Sequence, residues 1–359
     1  MKATVNRKEL LYAINRVKDA VSQKPTLPIL SYFLLDMAKS KITLSACNLE
    51  VTATTSCEAK IDSVGKICLL AKPFEAILRT SQDKEVVILV TTNKEKVTSA
   101  KLICGFISTE IEHAKAEDYP SISQATGKPL TIRGFSDALG IVDYAIAKDE
   151  CRPVLTGVAL EKDKGIYNLI AADGFRLAST NVKGRGTLEK TIIIPALAVR
   201  MIRKNMENAI IRLSVSDNFT QVTVVDNDTT LTFNSIEGTY PNWKQLIPKK
   251  VKSISYNKSE IERALKAIMS ISGKPNHIRL QSRAGEMNIY TLVDDKKTST
   301  KISCTGCCRI AFNPKYLRDV ISKVGDTVSM KFSTGESPAL FREANSFHLL
   351  MPVMASWDK

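Results

Sequence analysis

Asp173 and Arg176 stand three residues apart in "IAADGFRLAS" (170–179), where an apolar run meets Asp-Gly, turns and resumes. In an enzyme a carboxylate and a guanidinium at that spacing make an acid–electrophile pair. In a binding protein they make a turn cap beside a cation that is either solvated or used for recognition. Asp-Gly between two apolar runs is a strong turn signal, because glycine takes the positive φ of a tight turn without strain. An Asp in that place commonly accepts hydrogen bonds from the turn's own N–H groups, which weighs against acid–base use. The plain reading of these ten residues is a hairpin carrying one solvated Arg.

Other reactive side chains form no catalytic or metal-binding pattern. The eight cysteines, at 47, 57, 68, 104, 151, 304, 307 and 308, lack the spacing of a disulfide framework and are expected to be reduced. "CTGCC" contains a single C-x-x-C, whereas a structural zinc site needs four ligands. His113, His277 and His348 complete no second pair. No phosphate-cradling glycine loop, nucleophile elbow, H-E-x-x-H helix or acidic triplet for two metals occurs. The expectation is a non-catalytic chain with no cofactor and no metal.

The chain has 359 residues, 44% of them apolar and 25% charged, enough for two or three domains with sizeable cores. "MKATVNRKEL" has no apolar leader, and no stretch approaches the roughly 18 apolar residues of a membrane span, so a cytoplasmic protein is expected. The net charge of +14 points to a polyanionic partner. That charge is scattered along the chain, so folding must assemble any positive surface.

The elements that position these residues recur with a period of about 120 residues. Amphipathic helices are predicted over 7–21, 134–148 and 257–271, the last with Ser259 as N-cap and Glu262 three residues on. A second set is predicted over 71–81, 195–206 and 313–324, each preceded by a short β-like run: "GKICLL", "KTIIIP" and "CCRIAF". Between them lie alternating hairpin patterns such as "KITLSACNLEVTATTSC" and "QVTVVDNDTTLTFNSIEG". Three copies of one α+β unit are expected, spanning 1–124, 125–248 and 249–359. The six helical segments carry sixteen basic side chains against eight acidic ones, over half the net charge. No reading helix, zinc finger or aromatic platform accompanies them, which suits phosphate contact without base readout.

Several stretches, in order and covering essentially the whole chain, resemble the bacterial sliding clamp family, the beta subunits of DNA polymerase III. They are "KPTLPIL" (24–30), "CRPVLTGVALE" (151–161), "AADGFRLAS" (171–179), "YPNWKQLIP" (240–248), "FNPKYLRDVI" (312–321) and "LLMPV" (349–353). The resemblance implies an α+β fold of three tandem clamp domains, each with two helices on antiparallel sheets, closing as a head-to-tail dimeric ring with the helices inside. Twelve helices spaced ~10 Å apart would leave an opening of roughly 28 Å, wider than a DNA duplex.

It further implies a non-catalytic processivity factor that encircles duplex DNA irrespective of sequence. Its partners would be the polymerase III alpha subunit, the clamp loader and other proteins carrying clamp-binding peptide motifs. Matching positions give a peptide pocket of Leu155, Gly174, Phe175, Arg176, Leu177, Pro241, Leu246 and Met351, with Arg176 as a recognition group on its rim. DNA contacts are expected at Lys24, Lys72 and Arg152, joined on helix-face grounds by Arg200, Arg203 and Lys204. Phe106 and Ile271 are expected at the subunit joint. The chain departs from the family pattern at Ala172, Phe175 and Gln245, and its last residues, "MASWDK", are expected to cover part of the cleft. Three readings stand at this point: a ring clamp, a DNA-modifying enzyme using Asp173 and Arg176, and a monomeric duplex-binding scaffold.

Overall fold

Helices form where the amphipathic spacing predicts them: α1 (Arg7–Val17), α2 (Ala71–Thr80), α3 (Phe135–Val142), α4 (Ala196–Asn205), α5 (Lys258–Ile271) and α6 (Pro314–Ile321). The structure, a computed structural model, describes residues 1–22, 24–93, 96–272, 277–294 and 296–357. In α1 the buried face is Leu10, Ala13, Ile14 and Val17, and in α5 it is Ile261, Ala264, Leu265 and Ile268. These are i, i+3, i+4, i+7 stripes, the pattern that lets one face of a helix leave water. The segments predicted over 7–21 and 134–148 each tighten into a single 3₁₀ turn, Lys18–Ala20 and Asp143–Ala145, a common way to end a helix.

Asparagine starts three of the helices. The Asn6 Oδ1 accepts from the N–H groups of Lys8 and Glu9, Asn257 from Ser259 and Glu260, and Asn313 from Lys315 and Tyr316. The N-cap predicted at Ser259 is therefore corrected to Asn257. Ser259 already lies inside the helix, and its hydroxyl donates to the Asn257 oxygen at 2.7 Å.

The chain divides into two compact units, one of Met1–Ser136, Gly184–Leu188 and Leu197–Ile236, the other of Asp137–Lys183, Glu189–Ala196 and Glu237–Lys359. In the first unit the 13-residue strand Val51–Ser63 organises the sheet. Its early half pairs with Lys41–Cys47 and with Thr229–Asn234, and its late half with Lys2–Asn6. Buried hydroxyls satisfy one another along this seam, with Thr55 Oγ1 3.1 Å from Thr229 Oγ1 and Ser45 Oγ 3.0 Å from Thr54 Oγ1.

In the second unit, Arg176–Arg185 pairs with Ile166–Ala172 on one side and with Ser346–Leu350 on the other. A second antiparallel set, Ile278–Arg283, Glu286–Val293, Lys296–Thr305 and Arg309–Phe312, packs its apolar face on α5 and α6. Both units thus contain strand pairs that join different sequence repeats. A hydrogen-bonded sheet leaves no weakly contacted seam at a repeat boundary, so contacts divide the second repeat between the units.

Replacing Asn6 or Asn257 by Ala should each cost about 1 kcal/mol of stability by stranding the first N–H groups of the helix, whereas Ser259→Ala should cost less. Urea midpoints at unchanged m-value check this.

Candidate peptide cleft and nucleic-acid face

The strand Ile166–Ala172 ends at a turn built by Asp173. Its Oδ1 accepts from the N–H groups of Phe175 and Arg176, both at 2.9 Å, while Gly174 takes φ +90°. The predicted Asp-Gly turn is present, and Asp173 caps it. Its other oxygen accepts from Arg176 Nε at 2.9 Å. Both carboxylate oxygens therefore serve the turn and Arg176, the structural use expected of an aspartate in an Asp-Gly turn.

Arg176 is not the open rim charge expected from the sequence. It is 8% exposed, and its Nη1 donates to Asp319 Oδ2 of α6 at 2.6 Å. Its guanidinium lies 4.4 Å from the ring centre of Tyr316 and 5.1 Å from that of Tyr144. Burial works against its charge, but the bonds and charges of Asp319 and Asp173 outweigh it and raise its pKa. Two carboxylates and two aromatic faces neutralise the group from within the unit.

His348 closes the same layer. It is wholly buried, with Nδ1 2.9 Å from the Tyr144 hydroxyl. Burial, helped by the Lys323 charge, pushes its pKa down to about 4.

Around this polar layer the predicted cleft residues take different roles. Leu155 and Leu177 are buried, and Leu177 packs in a cluster with Trp243, Leu340 and Leu349. Leu246 ends the short turn Trp243–Leu246 and stays exposed, as do Pro241 and Met351. Phe175 is 59% exposed, with its ring 5.9 Å from Tyr316. The Met351 N–H donates to the Phe175 carbonyl at 2.8 Å, tying the chain end to the turn.

A side chain at Gly174 would meet Arg152 Nη1 at 3.4 Å, so the Arg152 guanidinium stands over the turn. The segment after Met351 does not lie across these residues. It is anchored at Ala311, Arg279 and Arg309, which corrects the expectation that the tail covers the cleft. Asp358 and Lys359 lie outside the described residues.

The basic side chains of the helices divide into two groups. Some bind within the protein. Arg7 donates to the carbonyls of Leu78 and Asp83, and Lys18 and Arg79 share Glu75. Arg16 Nη1 donates to the Asn205 carbonyl at 2.6 Å while Asn205 Nδ2 donates back to the Arg16 carbonyl at 2.7 Å. Lys204 pairs with Asp19 at 2.6 Å, so its charge is spent within the first unit. Lys258 and Lys323 donate to backbone carbonyls, the latter to Gly140 at 2.7 Å.

Lys24, Lys72, Arg152 and Arg200 are exposed and make no ion pair among the described residues, and Arg203 is exposed as well. Lys266, Lys315 and Arg318 are exposed on α5 and α6. Sequence counting included those three without singling them out. It tallied Asp319 among the acidic side chains without giving it a role and gave Tyr316 none, although their i, i+3 spacing puts them on one helix face. Phe106 and Ile271 are 93% and 72% exposed. Among the described residues no three His, Cys, Asp or Glu side chains group as metal ligands, and no helix is long and apolar enough to cross a membrane.

His348 sets a pH dependence. Its pKa in the fold, about 4, lies below the ordinary 6.5, so the folded state binds fewer protons between those values. Its contribution is intact above pH ~6.5 and is lost as pH falls through 4, roughly 3–4 kcal/mol in all. Urea titrations at pH 7 and 4.5 should show a smaller drop for His348→Gln than for the parent chain.

Family models for the N-terminal, central and C-terminal domains of the DNA polymerase III beta subunit match residues 1–123, 130–242 and 244–355. The beta sliding clamp of Chlamydia muridarum is 23% identical over 98% of this chain and 99% of its own length, and that of a Synechocystis strain 26% over the same shares. Among solved structures, the Bacillus subtilis sliding clamp superposes with a TM-score of 0.90 at 21% identity, covering 99% of this chain and 100% of that one. The Bartonella birtlesii clamp bound to griselimycin gives 0.91 at 23%, with the same coverage. The fold is the three-domain clamp fold, α+β with antiparallel sheets. With its three domain models filling nearly all 359 residues, the chain belongs to the DNA polymerase III beta subunit family, the beta sliding clamps, non-catalytic processivity subunits of DNA replication.

Proposed function

We propose that two copies of the chain join head to tail into a ring around duplex DNA and hold DNA polymerase III and other replication proteins there. The clamp domains would be 1–124, 125–248 and 249–359, with Phe106 of one copy and Ile271 of the other at each joint. The observation that carries the reading is the placement of large apolar side chains in water at Phe106, Ile271 and Phe175, together with unpaired cations at Lys24, Lys72, Arg152 and Arg200. Exposed apolar groups of this size favour partner contacts, and unpaired cations favour phosphate. Arg203 adds to the phosphate contacts, while Lys204, already paired with Asp19, adds little.

Retention on DNA is topological in this reading, with weak phosphate contacts only centring the duplex. The second use of the surface is the cleft of Leu155, Gly174, Phe175, Leu177, Pro241, Leu246 and Met351. It takes a short apolar peptide of the polymerase alpha subunit, the clamp loader or a similar partner. With Arg176 neutralised from inside, the charge available at the cleft mouth is Arg152. A protein of this kind works in the cytoplasm.

The ring is tested by loading the protein onto nicked circular DNA. It should stay bound at salt that blocks direct binding and leave when the circle is cut. Phe106→Asp with Ile271→Asp should give a monomer by light scattering and no retention. Equal retention on circles and linear fragments would defeat the ring.

The cleft is tested with griselimycin, the ligand of the Bartonella clamp crystal. Phe175→Ala should weaken its binding about tenfold or more in calorimetry while the dimer persists. Unchanged binding would move the site elsewhere.

A further inference from the structure

After the strand Ser346–Leu350 the chain runs without regular structure to Trp357. Met351 is held to Phe175, and the Val353 N–H donates to the Ala311 carbonyl at 2.9 Å. The Ser356 carbonyl accepts from Arg279 Nε at 2.8 Å, and its hydroxyl lies 3.4 Å from Arg279 Nη2. The Trp357 ring sits 4.9 Å from the Arg309 guanidinium.

The sheet register shows what this segment covers. Ile278 pairs with Phe312, Leu280 with Ile310, Arg279 with Ala311, and Gln281 with Arg309. Paired residues share a face and successive residues alternate. Ile278, Leu280, Ile310 and Phe312 belong to the core packed on α5 and α6, so Arg279, Ala311 and Arg309 face the other way. A sheet face without helices should be open to water, yet Arg279 is only 2% exposed, and Ala311 and Tyr290 are 1% each. Tyr290 is the cross-strand partner of Arg279. The chain end lies over this face, and the small side chain of Ala311 leaves room for it between two arginines.

Arg279 has no carboxylate partner among the described residues. Ser356 supplies its acceptors, and its Nη1 is buried without one. A guanidinium compensated only by neutral groups is costly to bury, and lifting the chain end returns it to water. The segment is therefore fastened rather than fused to the fold.

We propose that residues 353–357 are a strap, fastened by Arg279 and Arg309, that fixes Met351 at the edge of the peptide cleft. This rests on the cleft reading above. Met351 is tied to Phe175 at its own N–H and to the sheet two residues later, so its freedom is spent before a ligand arrives. Ordering a contact residue in advance strengthens binding. Arg279 is a positioning residue for the cleft, acting through the strap and touching no ligand.

The test compares the full chain with one ending after Val353, with Arg279→Met and with Arg279→Lys. Griselimycin affinity is read by calorimetry and the Met351 methyl signal by NMR. Truncation and Arg279→Met should weaken griselimycin about tenfold and shift or broaden the Met351 signal, with the dimer unchanged. Arg279→Lys, which keeps one donor for Ser356, should lose less. A loss below about threefold in the truncated chain overturns the proposal whatever the methyl signal does. If Arg279→Met fails to fold, the truncation decides. If the full chain does not bind griselimycin, the cleft reading fails and the Met351 signal alone judges the strap. An unmoved signal on truncation then overturns the strap, and a moved one supports it.

Discussion

Arg176 is a cation that the fold has taken out of water, and the second unit is arranged around keeping it satisfied. Asp173 reaches it from the adjoining turn, Asp319 from a helix 143 residues along the chain, and the rings of Tyr144 and Tyr316 lie against it. Removing one partner from such a site costs ~3–5 kcal/mol, against ~0–1 kcal/mol for an exposed ion pair such as Lys301–Glu286. The Asp-Gly turn, the seat of Phe175 on Tyr316 and the bond from Met351 to the turn all lie beside that guanidinium. The proposed cleft would need a rigid floor, and the ion pairs of Arg176 with Asp173 and Asp319 would supply one.

The basic character of the helices has the same double use. Arg16, Lys18, Lys258 and Lys323 spend their charge on helix ends and neighbouring helices, where a cation near a C-terminal carbonyl also meets the helix dipole favourably. Lys72, Arg200, Lys266 and Arg318 are left to solvent. A tally of positive residues therefore overstates the positive surface: part of the +14 is mortar between elements, and only the remainder is left to solvent.

Much of this was legible before folding was considered. Helix positions followed from i, i+3, i+4 apolar stripes, and the Asp-Gly turn from the torsional freedom of glycine. The long repeat followed from self-similarity, and the family from motifs that run the length of the chain. The misses have two causes, one local and one long-range. The cap at Asn257 rather than Ser259 depends on which residue first takes helical torsions, a matter of one or two positions. The burial of Arg176 depends on Asp319, and the path of the chain end depends on Arg279 and Arg309, all far away in sequence.

By itself the sequence determined the local elements, the threefold repeat, the surplus of positive charge and the kinship with sliding clamps, because each is written in spacing and composition over a short range. Tertiary structure alone decided which charges are free and which are consumed, that the sheets run on across the repeat boundaries, and that the tail after Met351 is anchored at Arg279, Ala311 and Arg309. Those outcomes depend on desolvation and on partners that only long-range packing brings within a few ångströms. A side chain's charge can be read from its letter, but whether water still reaches it cannot.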